Sequence, residues 1–318
     1  MRLPSRRVPL VVGALVVAAL ALAPAGLSPF LVQFLINLFM LAALAESWNI
    51  IGGFTGYASF GNVAFFGIGA YTTAVLLTAA AWPFALALPA GGLLAMAFAG
   101  LIGMPILRLK GHYFAIATLG VAETMREIVY NLKITGGGTG LTMPITRSPL
   151  PFFYLMLAIL VAATLVNWWL SASRFGYGLI AIREDEDAAM AMGINTALYK
   201  TAAFALSGAF AGLVGGVFAY WITFIDPDGV FRVIVTIQMI IMAVFGGMGT
   251  VVGPLLGAFV LASVSELLST QLVSLAELFN GLIVILVVLF MPKGLAEVIR
   301  NREFSLKKLA RNLREYRV

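Results

Sequence analysis

The sequence predicts an all-α integral membrane protein of about ten transmembrane helices, some short or broken, with both termini on the cytoplasmic side. Three observations carry that expectation. Of the 318 residues, 61% are apolar and 11% are charged, whereas a soluble domain runs about 45–50% apolar and about 25% charged. Apolar stretches of roughly 20 residues, long enough to cross a bilayer, recur along the chain between polar or Gly/Pro breaks. The net charge of +6 is segregated, with Arg2, Arg6 and Arg7 at one end and eight basic residues from Lys293 to Arg317 at the other. Basic excess placed this way is a topology signal and not a nucleic-acid surface. The absence of cysteine excludes disulfides, thiolate metal sites and thiol nucleophiles. The single histidine, His112, makes no metal cluster by itself, and no cofactor is expected.

Taken in order, the spans fall at about 8–25, 29–47, 60–80, 84–106, 112–131, 151–170, 200–221, 233–248, 251–271 and 278–292. The first could also be read as a secretory leader, since Arg6-Arg7 precede it and Ala23-Pro24-Ala25 offer small residues for cleavage. It is long for a leader's apolar core, so a first membrane helix is the preferred reading. An even count puts both ends on one side. With the N-terminus inside, the outer segments hold Lys133, Arg147 and Arg232 alone among basic residues, and the inner ones hold the rest of the loop cations. Residues 1–292 then form the transmembrane domain, with a long cytoplasmic segment at about 171–199. In residues 293–318, Leu306, Leu309, Leu313 and Tyr316 recur at helical spacing among Lys307, Lys308, Arg311, Arg314 and Arg317. That tail reads as an amphipathic helix on anionic lipid, or as a solvated basic tail.

Several features could carry function. Gly208, Gly212 and Gly216, and again Gly249, Gly253 and Gly257, repeat every fourth position, a flat helix face suited to close packing. Packing inside the chain is preferred to a dimer seam. The segment Gly52–Ala70 is so rich in glycine and small residues that a broken helix along a polar path competes with close packing. Asn49, Ser59, Asn62 and Tyr71 are its candidate path residues. Glu123, Arg126 and Glu127 stand at i, i+3 and i+4 inside a span, where an intramembrane ion pair would fix helix packing or serve a proton relay. Isolated Glu46 and Glu266 are expected to find hydrogen bonds between helices. The run Arg183-Glu184-Asp185-Glu186-Asp187 precedes a short Ala/Met helix, Ala188 to Met192, and puts negative charge at a helix N-terminus. It is a docking helix for a soluble partner or a solvated loop. The glycine loop Thr135–Gly140 lacks the Gly-Lys-Ser/Thr close of a phosphate-binding loop, and no such motif occurs elsewhere. No catalytic or metal motif is present, so no enzyme activity is expected, and nucleotide power would have to come from another subunit.

Six ordered stretches together resemble one family: Gly56–Tyr71, Leu107–Gly120, Thr135–Leu141, Ala181–Asn195, Phe245–Ala258 and Pro292–Leu295. The chain is similar to the membrane permease subunits of branched-chain amino-acid ABC importers, the LivM-type branch. The resemblance implies pairing with a second homologous permease subunit, two cytoplasmic ATP-binding subunits, a periplasmic substrate-binding protein, and residence in a bacterial inner membrane. It implies that 183–195 is the coupling helix, with Asp187-Ala188-Ala189-x3-Gly193 in place of a Glu-Ala-Ala-x3-Gly pattern. Arg183, Glu184, Asp187, Ala188, Ala189 and Gly193 would serve coupling. Asp226, Asp228 and Arg232 would face the binding protein. Where many relatives have Gly-His, this chain has Gly61-Asn62, so a pathway role for an imidazole does not transfer. The rival reading is an ion-coupled secondary transporter using Glu123, Arg126 and Glu127.

Overall fold

A computed structural model describes residues 7–146 and 148–271. Helices dominate: α1 (Arg7–Leu22), α2 (Pro29–Thr55), α3 (Asn62–Thr78), α4 (Phe84–Ile106), α5 (His112–Asn131), α6 (Leu150–Ala172), α7 (Arg174–Glu184), α8 (Glu186–Ala191), α9 (Thr196–Ile222), α10 (Pro227–Val230), α11 (Val233–Gly246) and α12 (Gly253–Gln271). A two-residue antiparallel ladder pairs β1 (Leu141–Thr142) with β2 (Phe224–Ile225) in the register Leu141↔Ile225. Among the described residues, Pro29–Thr55, Phe84–Ile106, Leu150–Ala172, Thr196–Ile222 and Pro227–Gly246 are long and apolar enough to cross a membrane. A helix occupies each expected span as far as 251–271. The span at 278–292, the tail at 293–318 and the stretch Pro292–Leu295 lie outside the described residues.

The packing explains where glycine is spent. α2 and α9 are the most enclosed of the five long apolar helices, with 67% and 72% of their central windows buried. α9 lays Gly208 and Gly212 against Ala99 and Ala95 of α4, while Gly69 of α3 meets the Gly212 backbone. Lipid and side chain are equally apolar, so such helices associate through van der Waals contact, which small residues bring to backbone distance. The glycine repeat in α9 is thus a seam within the chain, as preferred from sequence. The second repeat divides differently: Gly249 lies in the turn before α12, and Gly253 and Gly257 pack on α11 at Gly247, Gly246 and Met242.

Glycine density misplaced one boundary. α2 does not stop near 47 but runs through Gly52 and Gly53 to Thr55. Gly52 sits under the Trp48 indole, and Gly53 sits against Asn49 and the Gly249 amide, so packing offsets the low helix propensity of both. The chain turns only at Gly56, whose φ of +76° a residue with Cβ would resist. The interruption is therefore the short connection 56–61, and α3 follows at 17 residues. α4 and α6 turn outward faces of Leu93, Leu101 and Met104, and of Leu165 and Trp169, which suit lipid.

Candidate functional site

The segment between α6 and α9 is built by three side-chain caps. Ser173 accepts from the Gly176 amide at 3.0 Å, Asp185 from Ala188 at 3.0 Å and Asn195 from Leu198 at 3.1 Å, opening α7, α8 and α9 in turn. Capping satisfies amides that have no partner inside the helix, and Glu186 and Asp187 in the first turn of α8 favour its dipole. The chain turns away from α8 at Gly193, two residues past its end, where φ is +87° and the Ile194 amide returns to the Ala189 carbonyl at 3.1 Å. Ala189 is buried, whereas Met190 and Met192 are 48% and 84% exposed. The result is a short acidic helix presenting methionines outward.

Charged tethers hold that helix to the bundle. Lys200, in the first turns of α9, donates to Glu186, to the Tyr57 hydroxyl at 2.9 Å and to the Leu107 carbonyl at 2.8 Å. Tyr57 in turn donates to the other Glu186 oxygen, and the ammonium lies 4.5 Å from the Tyr57 ring centroid. Side-chain exposures of 4% for Lys200 and 13% for Glu186 make this a buried pair. Such a pair survives desolvation only if its remaining polar groups are bonded, and here all three ammonium protons have acceptors. Burial acts to raise the Glu186 carboxyl, but the hydrogen bonds from Lys200 and Tyr57 win and hold it below its ordinary value. Tyr57 is pushed well above its ordinary value, first by burial and then by Glu186. Nearby, Arg183 donates to the Gly53 carbonyl at 3.0 Å and pairs with Glu184 at 2.9 Å, while Asp187 pairs with Lys110 at 3.0 Å on the surface. Sequence reasoning marked Glu186 within the acidic run but missed Tyr57, Lys110 and Lys200 as its neighbours. Lys200 stands five residues after Asn195 with no nearby partner in sequence, so only the fold brings it to Glu186.

The residues expected along a path are enclosed in this conformation. The Asn49 amide donates to Asn167 Oδ1 and the Thr250 carbonyl, each at 3.0 Å, and accepts from the Gly249 amide at 2.7 Å. Its capacity ties α2 to α6 and to the turn before α12. Ser59 accepts from the Gly61 amide with its hydroxyl and from Trp48 Nε1 with its carbonyl. Asn62 donates to Ser207 at 2.9 Å, but its Oδ1 finds no partner among the described residues, nor does the hydroxyl of buried Tyr71, whose ring stacks on Phe231. Glu46 departs from expectation: it is fully buried and neither carboxylate oxygen has a hydrogen-bond partner among the described residues.

At the opposite end of the bundle, two groups separated in sequence meet. Arg126 pairs with Glu123, with Glu127 at 3.0 Å and with Asp228 at 3.2 Å. The expected pairing on α5 is present, but instead of locking two helices in the interior it lies on an outward face and reaches α10. Asp226 is spent as the α10 cap, accepting from Gly229 at 3.1 Å, and Arg232 is exposed before α11. The glycine loop packs beneath Tyr130 at Gly138, and Gly140, at φ +77°, lies on the Ile225 carbonyl beside the ladder. A cavity of about 630 Å³ opens at the α8 end of the bundle, lined by Tyr57, Lys110, His112, Ile116, Leu119 and Arg183 among others.

The family described as branched-chain amino acid transport system / permease component matches residues 30–291. The chain belongs to this family. It is 32% identical over 289 residues to the high-affinity branched-chain amino acid transport system permease protein LivM of Escherichia coli (strain K12). That match covers 79% of this chain and 66% of the relative, so the chain spans just under two thirds of its length. LivM of Salmonella typhimurium is 32% identical over 285 residues with the same coverage. The autoinducer 2 import system permease protein LsrC of Salmonella paratyphi B is 33% identical over 163 residues, covering 48% of this chain and 46% of the relative. No solved structure matches. The matched region includes α8 and its tethers, the buried polar network of α2 and the Arg126 cluster.

Proposed function

We propose that this permease-family chain is the membrane subunit of an ATP-driven importer for branched-chain or other hydrophobic amino acids, working by alternating access in a bacterial inner membrane. It pairs with a second homologous permease subunit, takes substrate from a periplasmic binding protein and is driven by two cytoplasmic ATP-binding subunits. The observation that carries this reading is α8: acidic at its start, apolar at its exposed methionines, and tied through Glu186 and Arg183 to α9 and to the end of α2. A helix anchored in this manner passes a push at its surface into the bundle. Arg183, Glu184, Asp187, Ala188, Ala189 and Gly193 shape or present it.

Nucleotide drives the cycle if the ATPases bind the two membrane conformations with different affinity, since only a differential interaction shifts the equilibrium. Family membership and the LivM relatives support the substrate class. No observation specific to the ion-coupled alternative accompanies the pairing of Glu123 and Glu127 with Arg126. The deciding experiment is purification of the tagged full chain with its co-expressed partners, followed by reconstitution. Nucleotide-binding subunits are expected to remain bound, and leucine uptake is expected to require both them and ATP. Uptake by the isolated chain under a proton gradient would overturn the reading.

A further inference from the structure

Helix α5 has an outward face that does not suit lipid. Its buried face, Phe114, Thr118, Ala122 and Val129, packs toward α3, where Gly61 meets Thr118, and Val63 and Ala64 meet Ala122. The exposed side carries a stripe at helical spacing, Tyr113, Ile116 and Gly120, then Glu123, Glu127 and Tyr130, with Leu119, Thr124 and Ile128 exposed beside it. Twenty residues of helix measure about 30 Å, the thickness of a hydrocarbon core. The helix also joins the two ends of the bundle, from His112, just after the Lys110 that pairs with Asp187, to Tyr130 over the glycine loop. α4 and α6 have apolar outward faces, whereas α5 is not among the helices apolar enough to cross a membrane by composition, and carboxylates at membrane depth turn toward protein or a water-filled cavity. The lower part of the stripe, Ile116, opens into the 630 Å³ cavity together with neighbouring Leu119. The α5 wall of the cavity ends at Leu119, about one helical turn before Glu123, so cavity wall and charged cluster follow one another along a single helix.

We propose that this stripe of α5 lines the path of the substrate, and that Glu123, Arg126, Glu127 and Asp228 form a charged station on it for the ammonium and carboxylate of an amino-acid zwitterion. The proposal rests on the permease reading and goes beyond it by naming the lining helix. Three carboxylates share one guanidinium, whose Nε is buried without a hydrogen-bond partner among the described residues. An arriving substrate carboxylate takes a place on Arg126, and the acid it displaces receives the substrate ammonium. Every charge keeps a partner during that exchange. The apolar side chain then lies over Gly120 toward Leu119 and Ile116, which suits a hydrophobic amino acid.

The native chain has no cysteine, so single cysteines can be read without a background. Cysteines replacing Ile116, Gly120, Glu123 and Glu127, with Leu93 and Leu101 of α4 and Ala122 of α5 as controls, are placed in the full transporter reconstituted in proteoliposomes. A membrane-impermeant methanethiosulfonate is expected to label the four stripe positions and none of the controls. Saturating leucine is expected to slow labelling at 123 and 127 by about tenfold. Labelling of the stripe by a lipid-soluble maleimide alone would overturn the proposal by placing that face in lipid. Labelling in the isolated chain that disappears in the assembled transporter, with or without leucine, would overturn it by making the stripe a seam between subunits. Labelling is measured independently of transport, so failure of ATP-dependent uptake in the unmodified transporter counts against the permease reading alone.

Discussion

Lys200 satisfies Glu186, Tyr57 and Leu107 at once, so replacing it strands a carboxylate in a place with little water. Removing one partner of a buried pair costs about 3–5 kcal/mol, and the 13% side-chain exposure of Glu186 puts this site toward the lower figure. Lys200→Met is expected to lower the thermal unfolding midpoint in detergent, and Lys200→Met with Glu186→Leu to recover part of it, because no charge is stranded while the Tyr57 hydroxyl and the Leu107 carbonyl still lose their partners. The same pair sets a pH response. Glu186 is held below its ordinary value of 4.5 in the fold. Its stabilisation is therefore complete above that value and is lost as the pH falls through the lowered one. Proteolysis between Glu184 and Asn195 should stay slow down to the ordinary carboxylate range and accelerate only below it. The acids of this run were legible in sequence as a helix start. Their cation was not, because Lys200 lies one turn into the next helix and its reach depends on how α9 is set against α8.

At the scale of elements, the chain uses glycine for two unlike purposes, and substitutions should separate them. A methyl group at Gly69 would run into the Gly212 backbone, so Gly69→Ala must part α3 from α9, and overpacking of this kind costs about 1–3 kcal/mol. At Gly193 a Cβ would meet nothing within 4 Å, and Gly193→Ala carries only the left-handed backbone penalty of about 1–2 kcal/mol. Gly69→Ala is expected to reduce the yield of monodisperse protein on size exclusion. Gly193→Ala is expected to leave the yield intact while lowering ATP-driven uptake, since it disturbs the exit from α8 and nothing in the bundle. The expected spans as far as 251–271 matched helices because apolar length is a local property. The limit of α2 was not legible, because Gly52 and Gly53 signal a break to any local reading and become helical only beneath Trp48 and beside Gly249.

On the scale of the whole molecule, the two ends of the bundle differ in kind, with the acidic helix α8, proposed to meet the ATP-binding subunits, at one and the glycine loop, the ladder and Asp228 at the other. Asp187 and Lys110 form an exposed pair, with side-chain exposures of 75% and 59%, and such pairs contribute about 0–1 kcal/mol. Asp187→Lys is therefore expected to leave the thermal midpoint unchanged while weakening copurification of the ATP-binding subunits and uptake. A shifted midpoint with intact copurification would assign Asp187 to stability instead. Composition and spacing by themselves determined the helical membrane class, the order of the helices as far as residue 271, the acidic start of α8 and the family, because each follows from apolar length, charge placement or a local string of residues. Tertiary structure decided which polar groups are spent and which remain open. Asn49 became a tie between α2, α6 and the turn before α12, Lys200 became the anchor of α8, and Glu123, Arg126 and Glu127 moved from an interior lock to an outward face shared with Asp228. The physical reason is that hydrogen bonds and ion pairs act over about 3 Å, and partners 14 to 201 residues apart reach that distance only through the packing of helices.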